Sequence, residues 1–383
     1  MAPTKYFRWT IPHKLARFSH ISHAHTYLLI PLMVISSPPL SHTGLLMGMG
    51  NPLLDISSEV GQDMLDKYEV QLDSAILAEE KHEPIYKDLV DNYNPKYIAG
   101  GATQNSIRVA QWMLKSAGMA DATAFMGCVG KDEFGETLAK CAAGDGVLTH
   151  YMQDPDTPTG VCAVLVKGGE RSLVTKLDAA NNFKPSHLET PKAKEIIEAA
   201  KFYYIAGFFL TVSVESLKAV AEHAVAENKT FCLNLSAPFI IDFFGDQVAE
   251  AMPYADYLFC NESEAAAYAK KHDLGDDLKE VALKVAALPK KNTSRPRTVV
   301  FTQGDKSTIV ARDGKVTEYA VEPLSKDLLV DTNGAGDAFV GGFLSQLVQD
   351  KDIEAAVKAG HYAARHIIQV SGTQLDAECD YKA

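Results

Sequence analysis

The chain has 383 residues, of which 46% are hydrophobic and 22% are charged, and its formal net charge is −12. This length suits one large α/β unit with an accessory domain, or two domains, and the composition is ordinary for a globular protein. The acidic charge argues against nucleic acids and acidic membranes as partners, although a local site for a phosphorylated small molecule stays open.

The first 43 residues differ in composition from the rest of the chain. Four lysines and arginines and five histidines occur there, and no acidic residue precedes Asp55. The apolar stretch from Tyr27 to Ile35 contains Pro31 and is too short to span a bilayer. Residues 1–43 are therefore predicted to be an N-terminal extension, either an organelle transit segment or a disordered terminus.

The six cysteines are scattered through apolar surroundings and show no CxxC spacing. This pattern is typical of small core residues in a reducing compartment and indicates neither a zinc site nor a disulfide framework. We therefore expect a cytoplasmic protein, with import into an organelle through residues 1–43 as the alternative.

From Thr43 onward, short β-rich runs alternate with helical patterns, which predicts an α/β fold with a mainly parallel central sheet and helices on both faces. The predicted strands are Leu45–Met49, Ala122–Val129, Phe202–Ala206, Phe231–Leu235, Tyr257–Cys260 and Thr298–Phe301. The predicted helices are Asn105–Ala117, Val214–Glu227, Ser263–His272, Leu278–Leu288, Asp337–Val348 and about Ile353–Gln369.

Two segments break this alternation. Residues 56–98 are charged and helix-rich with little strand character, whereas Val161–Val166 and Ser172–Lys176 read as paired strands joined at Gly168-Gly169. A hairpin with one polar face fits poorly inside a parallel sheet, so both segments are predicted to form a small β-rich lid. The predicted lid covers about 57–100 and 156–182, the main body covers 44–376, and a tail covers 377–383.

Polar and glycine residues follow several predicted strands, where ligands bind in open α/β sheets. Asn51 and Asp55 follow the first strand, and the run from Gly100 to Asn105 precedes a helix. Asn261 and Glu264 lie at another helix start, and Thr302 to Gly304 follow a further strand. Each cluster alone is a turn or a cap by default, but their recurrence at strand ends favours a shared site.

The run from Asp331 to Phe343 predicts a tight turn that leads into a helix. Gly334, Ala335 and Gly336 would aim backbone N–H groups at an anion, and Asp337 would lie in the first helical turn. A carboxylate beside an anion is repelled unless it has a task such as general-base catalysis, although aspartate near a helix start is also common as a cap. Gly341 and Gly342 within the helix indicate that another group packs closely on its backbone.

Several nucleotide-binding signatures are absent from the sequence. It contains no GxxxxGK[ST] phosphate loop and no HRD or DFG motif, and Gly334, Gly336 and Gly341 do not have the GxGxxG spacing. These absences argue against a P-loop enzyme, a protein kinase and a dinucleotide-binding fold.

Five motifs are shared with a known family: Asp331-Thr-Asn-Gly-Ala-Gly-Asp337, Met49-Gly-Asn-Pro-Leu-Leu-Asp55, Gly100-Gly-Ala-Thr-Gln-Asn-Ser106, Tyr204-Ile-Ala-Gly-Phe-Phe-Leu-Thr-Val212 and Asn234-Leu-Ser-Ala-Pro-Phe239. From about Leu46 to Leu375 the chain resembles the ribokinase-like (PfkB-type) carbohydrate kinases, and the last four motifs are similar to the branch that phosphorylates adenosine. The resemblance implies a ribokinase-like fold and transfer of phosphate from ATP to the adenosine 5′-hydroxyl, giving AMP and ADP. It also implies Mg²⁺ as a cofactor and a monomer.

The resemblance also implies roles for individual residues at the phosphate. Asp337 would take the proton of the 5′-hydroxyl, and the backbone from Gly334 through Ala335 to Gly336 would hold the developing anion. Arg171, in the lid hairpin, would move over the γ-phosphate. Asn261 and Glu264 would orient Mg²⁺ largely through water. The residues implied to face ATP are Asn261, Thr302, Gly304, Asn333 and His361.

For the nucleoside, the resemblance implies that Asn51 and Asp55 bind the ribose 2′- and 3′-hydroxyls. The rest of the substrate site would comprise Gly100, Gly101, Gln104 and Asn105 around the sugar, and Leu173, Thr175, Phe209 and Phe239 around the purine. Ala75, Thr175 and Lys176 depart from the residues usual in the family, which leaves the purine preference open. The alternatives are a kinase for another nucleoside or sugar, and a regulator that binds nucleotides without turnover; the presence of both Asp337 and Arg171 argues against the regulator.

Overall fold

The computed structural model describes residues 43–72, 74–168, 170–375 and 378–382. The predicted N-terminal extension lies outside the described residues except for Thr43. Of the predicted tail, residues 378–382 are described. From residue 43 onward, the described residues belong to one compact unit.

The strands, numbered along the chain, are β1 (Leu46–Met49), β2 (Leu53–Glu59), β3 (Ala75–Leu77), β4 (Lys96–Gly100), β5 (Thr123–Met126), β6 (Cys128–Gly130), β7 (Leu148–Thr149), β8 (Met152–Asp154), β9 (Val161–Lys167), β10 (Glu170–Lys176), β11 (Phe202–Ala206), β12 (Thr230–Asn234), β13 (Tyr257–Asn261), β14 (Thr298–Gln303), β15 (Lys306–Arg312) and β16 (Lys315–Tyr319).

The α-helices are α1 (Gln62–Lys67), α2 (Ile85–Asn92), α3 (Ala102–Ser116), α4 (Glu133–Gly144), α5 (Pro191–Ala199), α6 (Val214–Ala226), α7 (Pro238–Phe243), α8 (Gly245–Ala251), α9 (Glu262–Lys271), α10 (Leu278–Ala286), α11 (Ala335–Leu347) and α12 (Ile353–Ile367). Among the described residues, no helix is both long enough and apolar enough to cross a membrane.

The larger sheet has, within the described part of the chain, nine strands in the order β16-β15-β14-β13-β12-β11-β1-β5-β7. The strands from β14 to β7 are parallel to their neighbours, and β15 and β16 are antiparallel. Leu233 of β12 points into one apolar core, and the adjacent Cys232 points into another on the opposite face. The predicted α/β architecture with a mainly parallel central sheet is therefore confirmed.

The prediction of a single strand at Ala122–Val129 is wrong, because the strand is interrupted at Gly127. A side chain at Gly127 would lie 2.6 Å from the carbonyl oxygen of Gly50 and 2.6 Å from Cδ of Pro52. The turn after β1 therefore crosses the chain here. The segment divides into β5, in the larger sheet, and β6, which pairs with β8.

A second sheet contains five strands among the described residues, in the order β3-β10-β9-β2-β4. The predicted hairpin is confirmed as β9 and β10, which are antiparallel. The prediction that residues 56–98 have little strand character is wrong, because β3 and most of β2 and β4 lie there. Leu54 and Ile56 of β2 are fully buried, but the half-buried Asp55 between them interrupts the apolar run in the sequence.

Helix α11 packs against α3 on one side and α12 on the other, and its two inner glycines make this possible. A side chain at Gly341 would lie 2.5 Å from the carbonyl oxygen of Ser106, and one at Gly342 would lie 2.3 Å from that of Ala359. The predicted close packing on these glycines is confirmed. Its consequence is that the first turns of α3 and α11 lie side by side.

Candidate active site

The turn before α11 is shaped by one left-handed residue. Gly334 has φ of 78° and caps the helix, and a side chain there would lie 2.9 Å from Oγ1 of Thr373. Glycine is therefore favoured both by conformation and by space. The N–H groups of a first helical turn lack partners within the helix. The turn thus presents backbone donors beside the side chain of Asp337.

Asp337 is half-buried, and one hydrogen bond fixes its carboxylate. Nδ2 of Asn105 donates to Oδ2 of Asp337 over 3.1 Å. The pKa of Asp337 is raised to about 7, mainly by burial and to a smaller extent by the negative charges of Glu264 and Asp55, while the hydrogen bond from Asn105 lowers it. A carboxylate with a pKa near neutrality can both accept and release a proton at physiological pH.

A cavity of about 160 Å³ opens beside Asp337. The ends of β12, β13 and β14 and the starts of α3, α9 and α11 meet there, which is where parallel sheets bind ligands. Its volume is smaller than that of a usual small-molecule pocket. Six predicted residues line it: Asn261, Glu264, Thr302, Gly334, Gly336 and Asp337.

Other residues line the same cavity without having been predicted, among them Phe208, Asn234, Ser236 and Phe339. Asn234 ends β12 and Ser236 follows it, and a signal for them existed, because polar residues at the ends of the other strands were the basis of the prediction. Ser236 has φ of 68°, its hydroxyl accepts from the N–H of Gly207 over 2.7 Å, and its own N–H donates to Oδ1 of Asn234 over 2.9 Å. Ser236 therefore holds the start of the loop that carries Phe208, and Asn234 holds Ser236.

Asn261 and Glu264 form a reciprocal cap at the start of α9. The backbone N–H of Asn261 donates to Oε2 of Glu264 over 2.9 Å, and Oδ1 of Asn261 accepts from the N–H of Glu264 over 2.9 Å. Burial raises the pKa of Glu264 to about 7. A cap explains the geometry, but it leaves a desolvated carboxyl group at the cavity wall.

Asn51 and Asp55 lie around the turn after β1. Nδ2 of Asn51 donates to the carbonyl oxygen of Ala180 over 3.3 Å, whereas its buried Oδ1 has no partner among the described residues. Burial raises the pKa of Asp55 to about 7, against the positive charges of Arg108 and Arg171. Both side chains therefore have oxygen atoms suited to accept from hydroxyl groups.

The loop before α3 is closed around these two residues. A side chain at Gly100 would lie 2.5 Å from the carboxylate of Asp55, and one at Gly101, where φ is 95°, would lie 2.1 Å from the carbonyl oxygen of Asn51. Gln104 is fully buried, donates to the carbonyl oxygen of Gly100 and accepts from the hydroxyl of Tyr151. Its amide is thus occupied by protein partners, and it supports the loop instead of facing a sugar.

Arg171 does not lie free over the turn but is paired with Asp331. Its Nη1 is 2.6 Å from Oδ2 of Asp331, both residues are buried, and Nε and Nη2 of Arg171 have no partner among the described residues. The other oxygen of Asp331 accepts from the N–H of Asn333 over 2.9 Å. The hairpin of β9 and β10 is therefore held against the turn before α11 by this ion pair. The two residues are far apart in sequence, and no local pattern indicates their contact.

The aromatic residues differ from the prediction. Phe209 is fully buried in the main core against Phe183, at 5.5 Å between ring centroids, whereas its neighbour Phe208 lines the cavity. Phe208 packs on Phe239, which is 45% exposed, at 6.1 Å. The short 3₁₀ turn at Gly207–Thr211 directs Phe208 to the cavity and Phe209 into the core, and the sequence motif does not distinguish the two.

The remaining predicted residues lie on β10, in two loops and on α12. Leu173 and Thr175 are half-buried on β10, and Oγ1 of Thr175 donates to Sγ of Cys162 over 3.3 Å. Gly304, with φ of 58°, makes the turn between β14 and β15, and Asn333 is exposed. Nε2 of His361 is 2.8 Å from Oγ1 of Thr308, and burial lowers the pKa of this histidine.

The chain is similar to known proteins in both sequence and fold. Residues 69–379 match the model of the pfkB family of carbohydrate kinases. Adenosine kinase 1 and adenosine kinase 2 of Arabidopsis thaliana are 55% and 53% identical to this chain, over 88% and 89% of its length and 98% of theirs. The crystal structure of Anopheles gambiae adenosine kinase in complex with P1,P4-di(adenosine-5) tetraphosphate is 47% identical. It covers 88% of this chain and 99% of its own, with a TM-score of 0.79.

Proposed function

This chain belongs to the pfkB family of carbohydrate kinases, and we propose that it phosphorylates the 5′-hydroxyl of adenosine with ATP to give AMP and ADP. It is a phosphotransferase with an alcohol group as acceptor. The similarity to adenosine kinases extends over nearly the whole of each relative, so it includes both the nine-stranded and the five-stranded sheet.

The observation that carries the proposal is the shared environment of Asp337 and Asp55. Asn105, in the first turn of α3, donates to Asp337 over 3.1 Å, and Gly100, just before that helix, lies against the carboxylate of Asp55, so the start of α3 contacts both groups. A nucleoside offers what both groups need, because its ribose has neighbouring 2′- and 3′-hydroxyls at one end and a primary 5′-hydroxyl at the other.

At the ribose, Asn51 and Asp55 supply acceptors. The buried Oδ1 of Asn51 has no partner among the described residues, and Asp55 is desolvated. Two donated hydroxyl hydrogens would offset the free energy lost by burying these oxygens. The same argument predicts discrimination against 2′-deoxyadenosine, which would leave one acceptor unpaired.

At the phosphate, Asp337 takes the proton of the 5′-hydroxyl while the hydroxyl oxygen bonds to the γ-phosphorus of ATP. The bond between that phosphorus and the oxygen bridging to the β-phosphate breaks, and ADP leaves with the bond's electron pair. Backbone N–H groups of the Gly334 turn and the free donors of Arg171 stabilise the charge on the transferred group.

The donors present fit Mg²⁺ held mainly by nucleotide and water. No group of three or more metal-binding side chains occurs among the residues that the structure describes, which disfavours a cage of protein ligands. Glu264 offers one buried carboxyl group at the cavity wall. A small hard cation usually takes one or two carboxylates and completes its shell with phosphate oxygens and water. When bound with ATP, Mg²⁺ neutralises charge on the phosphates.

A coupled assay of ADP release tests the proposal with adenosine, 2′-deoxyadenosine, guanosine, inosine and ribose as acceptors. We expect the largest kcat/KM for adenosine and a loss of at least about tenfold for the 2′-deoxy compound. A larger kcat/KM for guanosine, inosine or ribose would refute adenosine as the substrate. Absence of ADP release with every acceptor would refute the catalytic proposal.

A further inference from the structure

Arg108 of α3 is a buried charged residue to which the chemistry above assigns no task. It is only 3% exposed. Its Nε lies 2.5 Å from Oδ2 of Asp145, and its Nη1 donates to the carbonyl oxygen of Ala99 over 2.5 Å. Removing a guanidinium group from water is unfavourable unless its donors form hydrogen bonds, and those of Arg108 bond to several separate segments of the chain.

One of its hydrogen-bond partners is Asn105, the side chain that holds the proposed base Asp337. Nη1 of Arg108 donates to Oδ1 of Asn105 over 3.4 Å, and Nδ2 of Asn105 donates to Asp337. A guanidinium group can donate but not accept, so it requires the oxygen of the Asn105 amide on its own side. The NH₂ group must then face the carboxylate of Asp337.

A second hydrogen-bond partner lies in the segment after α12. Nη2 of Arg108 donates to the carbonyl oxygen of Thr373 over 3.1 Å. The side chain of Thr373 lies against Gly334 and leaves no room for a Cβ there. The same guanidinium group therefore braces the turn that carries the backbone donors.

A third hydrogen-bond partner lies on β4, the strand paired with the one that carries the proposed ribose acceptor Asp55. Ala99, which accepts from Arg108, pairs with Leu54 in the register between β4 and β2. Asp55 is the next residue of β2. Arg108 thus contacts the supports of Asp337, of the Gly334 turn and of Asp55 simultaneously.

We propose that Arg108 is a positioning residue for the reaction: it sets the direction of the Asn105 amide and thereby the orientation and charge of Asp337. Asp145 is its counter-ion. The proposal rests on the proposed function in that Asp337 is the base, but the direction of the amide follows from the hydrogen bonds alone. Arg108 does not touch substrate in this scheme.

The charges around these groups fix the sign of the effect. Asp337 is influenced by Glu264 from α9 and Asp55 from β2, both of which favour its protonated form, and its charge in turn raises the pKa of Tyr204 on β11. Only the bond from Asn105 favours the ionised form among the causes acting on Asp337. If the amide turned over, its oxygen would face the carboxylate, and a proton would be retained to higher pH.

Around Arg108 itself, Asp145 is its ion-pair partner, and Asp55, Tyr151 and Cys141 are titratable groups that its charge affects. Asp55 is also influenced by Arg171. Loss of the Arg108 charge therefore favours protonation of Asp55 as well. Adenosine affinity reports on Asp55, whereas kcat at saturating adenosine reports on Asp337.

The test compares Arg108→Met, Arg108→Lys and Asn105→Ala with the wild type in pH profiles of kcat at saturating adenosine and ATP. The acid limb of the wild-type profile, which reports the enzyme–substrate complex, is the reference. In Arg108→Met it should move up by about one unit, the size of one lost hydrogen bond to a charged group. Arg108→Lys retains the charge and should show a smaller shift.

Two further measurements separate positioning from folding. In the Asn105→Ala background, Arg108→Met should cause no additional upward shift of the acid limb, because the upward effect passes through the missing amide, and protonation of Asp55 acts in the opposite direction. Arg297 supplies a matched control, as a fully buried arginine that donates to backbone carbonyls between residues 252 and 289. Arg297→Met should lower the melting temperature and leave the acid limb in place.

An acid limb that stays in place in Arg108→Met, with only a lower melting temperature, would overturn the proposal. If Arg108→Met does not fold, Arg108→Lys decides by the same criterion. Carbon-13 NMR of labelled carboxyl groups, assigned with Asp337→Asn, gives the titration of Asp337 without turnover. Failure of adenosine phosphorylation would therefore refute the proposed function and still leave this inference testable.

Discussion

Replacing Asp337 by asparagine should reduce activity and increase stability at the same time. The substitution preserves size and an acceptor for the Asn105 amide, but it removes the proton-accepting charge. Loss of a general base usually lowers the rate by at least about 100-fold. Adenosine binding should be retained, because the ribose acceptors Asn51 and Asp55 are unchanged.

The gain in stability follows from the pKa of the carboxyl group. Asp337 has a pKa raised from 3.8 to about 7 by burial and by neighbouring charge. An acid with a raised folded-state pKa destabilises the fold progressively as pH rises from about 4 to about 7, and the penalty is constant above that. Three pKa units correspond to an upper limit of about 4 kcal/mol, and desolvation of the asparagine amide reduces the net gain.

Thermal unfolding from pH 4 to pH 8 and steady-state kinetics measure the two effects. The variant should melt several degrees above the wild type at pH 8, and the difference should vanish as pH falls towards 4. Asp313→Asn, in the exposed turn between β15 and β16, is the matched control and should change neither quantity. Near-normal kcat in Asp337→Asn would refute the base, and a lower melting temperature at pH 8 would refute the desolvation argument.

Three further predictions concern the lid, the metal and the packing of α11. Arg171→Ala should lower kcat more than it weakens adenosine binding, because its free donors serve the phosphate; the opposite pattern in initial-rate kinetics would make it a nucleoside ligand. Glu264→Gln keeps an acceptor for the cap but should increase the Mg²⁺ concentration that gives half-maximal activity, and an unchanged Mg²⁺ titration would contradict that role. Gly342→Ala should destabilise the protein by at least about 1–3 kcal/mol in denaturant unfolding, since its Cβ would lie 2.3 Å from the carbonyl oxygen of Ala359. Gly144→Ala, where a Cβ has open space at the end of α4, should be neutral or stabilising, and equal losses for both glycines would show that packing is not the cause.

Much of the fold could be predicted because its signals are local. The strands of the main sheet are apolar runs bounded by polar turns, and the bounds of β11 were predicted to the residue. The wrong predictions have a common cause, which is that contacts with segments distant in sequence determine where a strand forms and ends. The backbone at Gly50 lies against Gly127 and ends β5 there. The segment that contains the polar Asp55 forms a strand because it pairs with β9 and β4.

The same distinction applies to the site. Asp337, Asn261 and Glu264 could be predicted because polar and glycine residues in the sequence indicate where strands end and helices start. The pairing of Arg171 with Asp331 and the network of Arg108 could not, because each joins segments more than a hundred residues apart. Phe208 and Phe209 show a finer limit, since one 3₁₀ turn decides which ring enters the core.

The electrostatics of the site explain why these long-range contacts matter for function. Asp55, Glu264 and Asp337 each have a pKa raised to about 7 mainly by burial, so each would be more stable without its charge. A protein that only needed to fold would replace them. Under the proposed function, ribose hydroxyls, a nucleotide-bound cation and the proton of the 5′-hydroxyl would each offset one of these penalties, so the cost of burying the three charges would favour the binding of all three. The cationic groups Arg108 and Arg171 act in the same sense on Asp55, because each favours its charged form from a buried position.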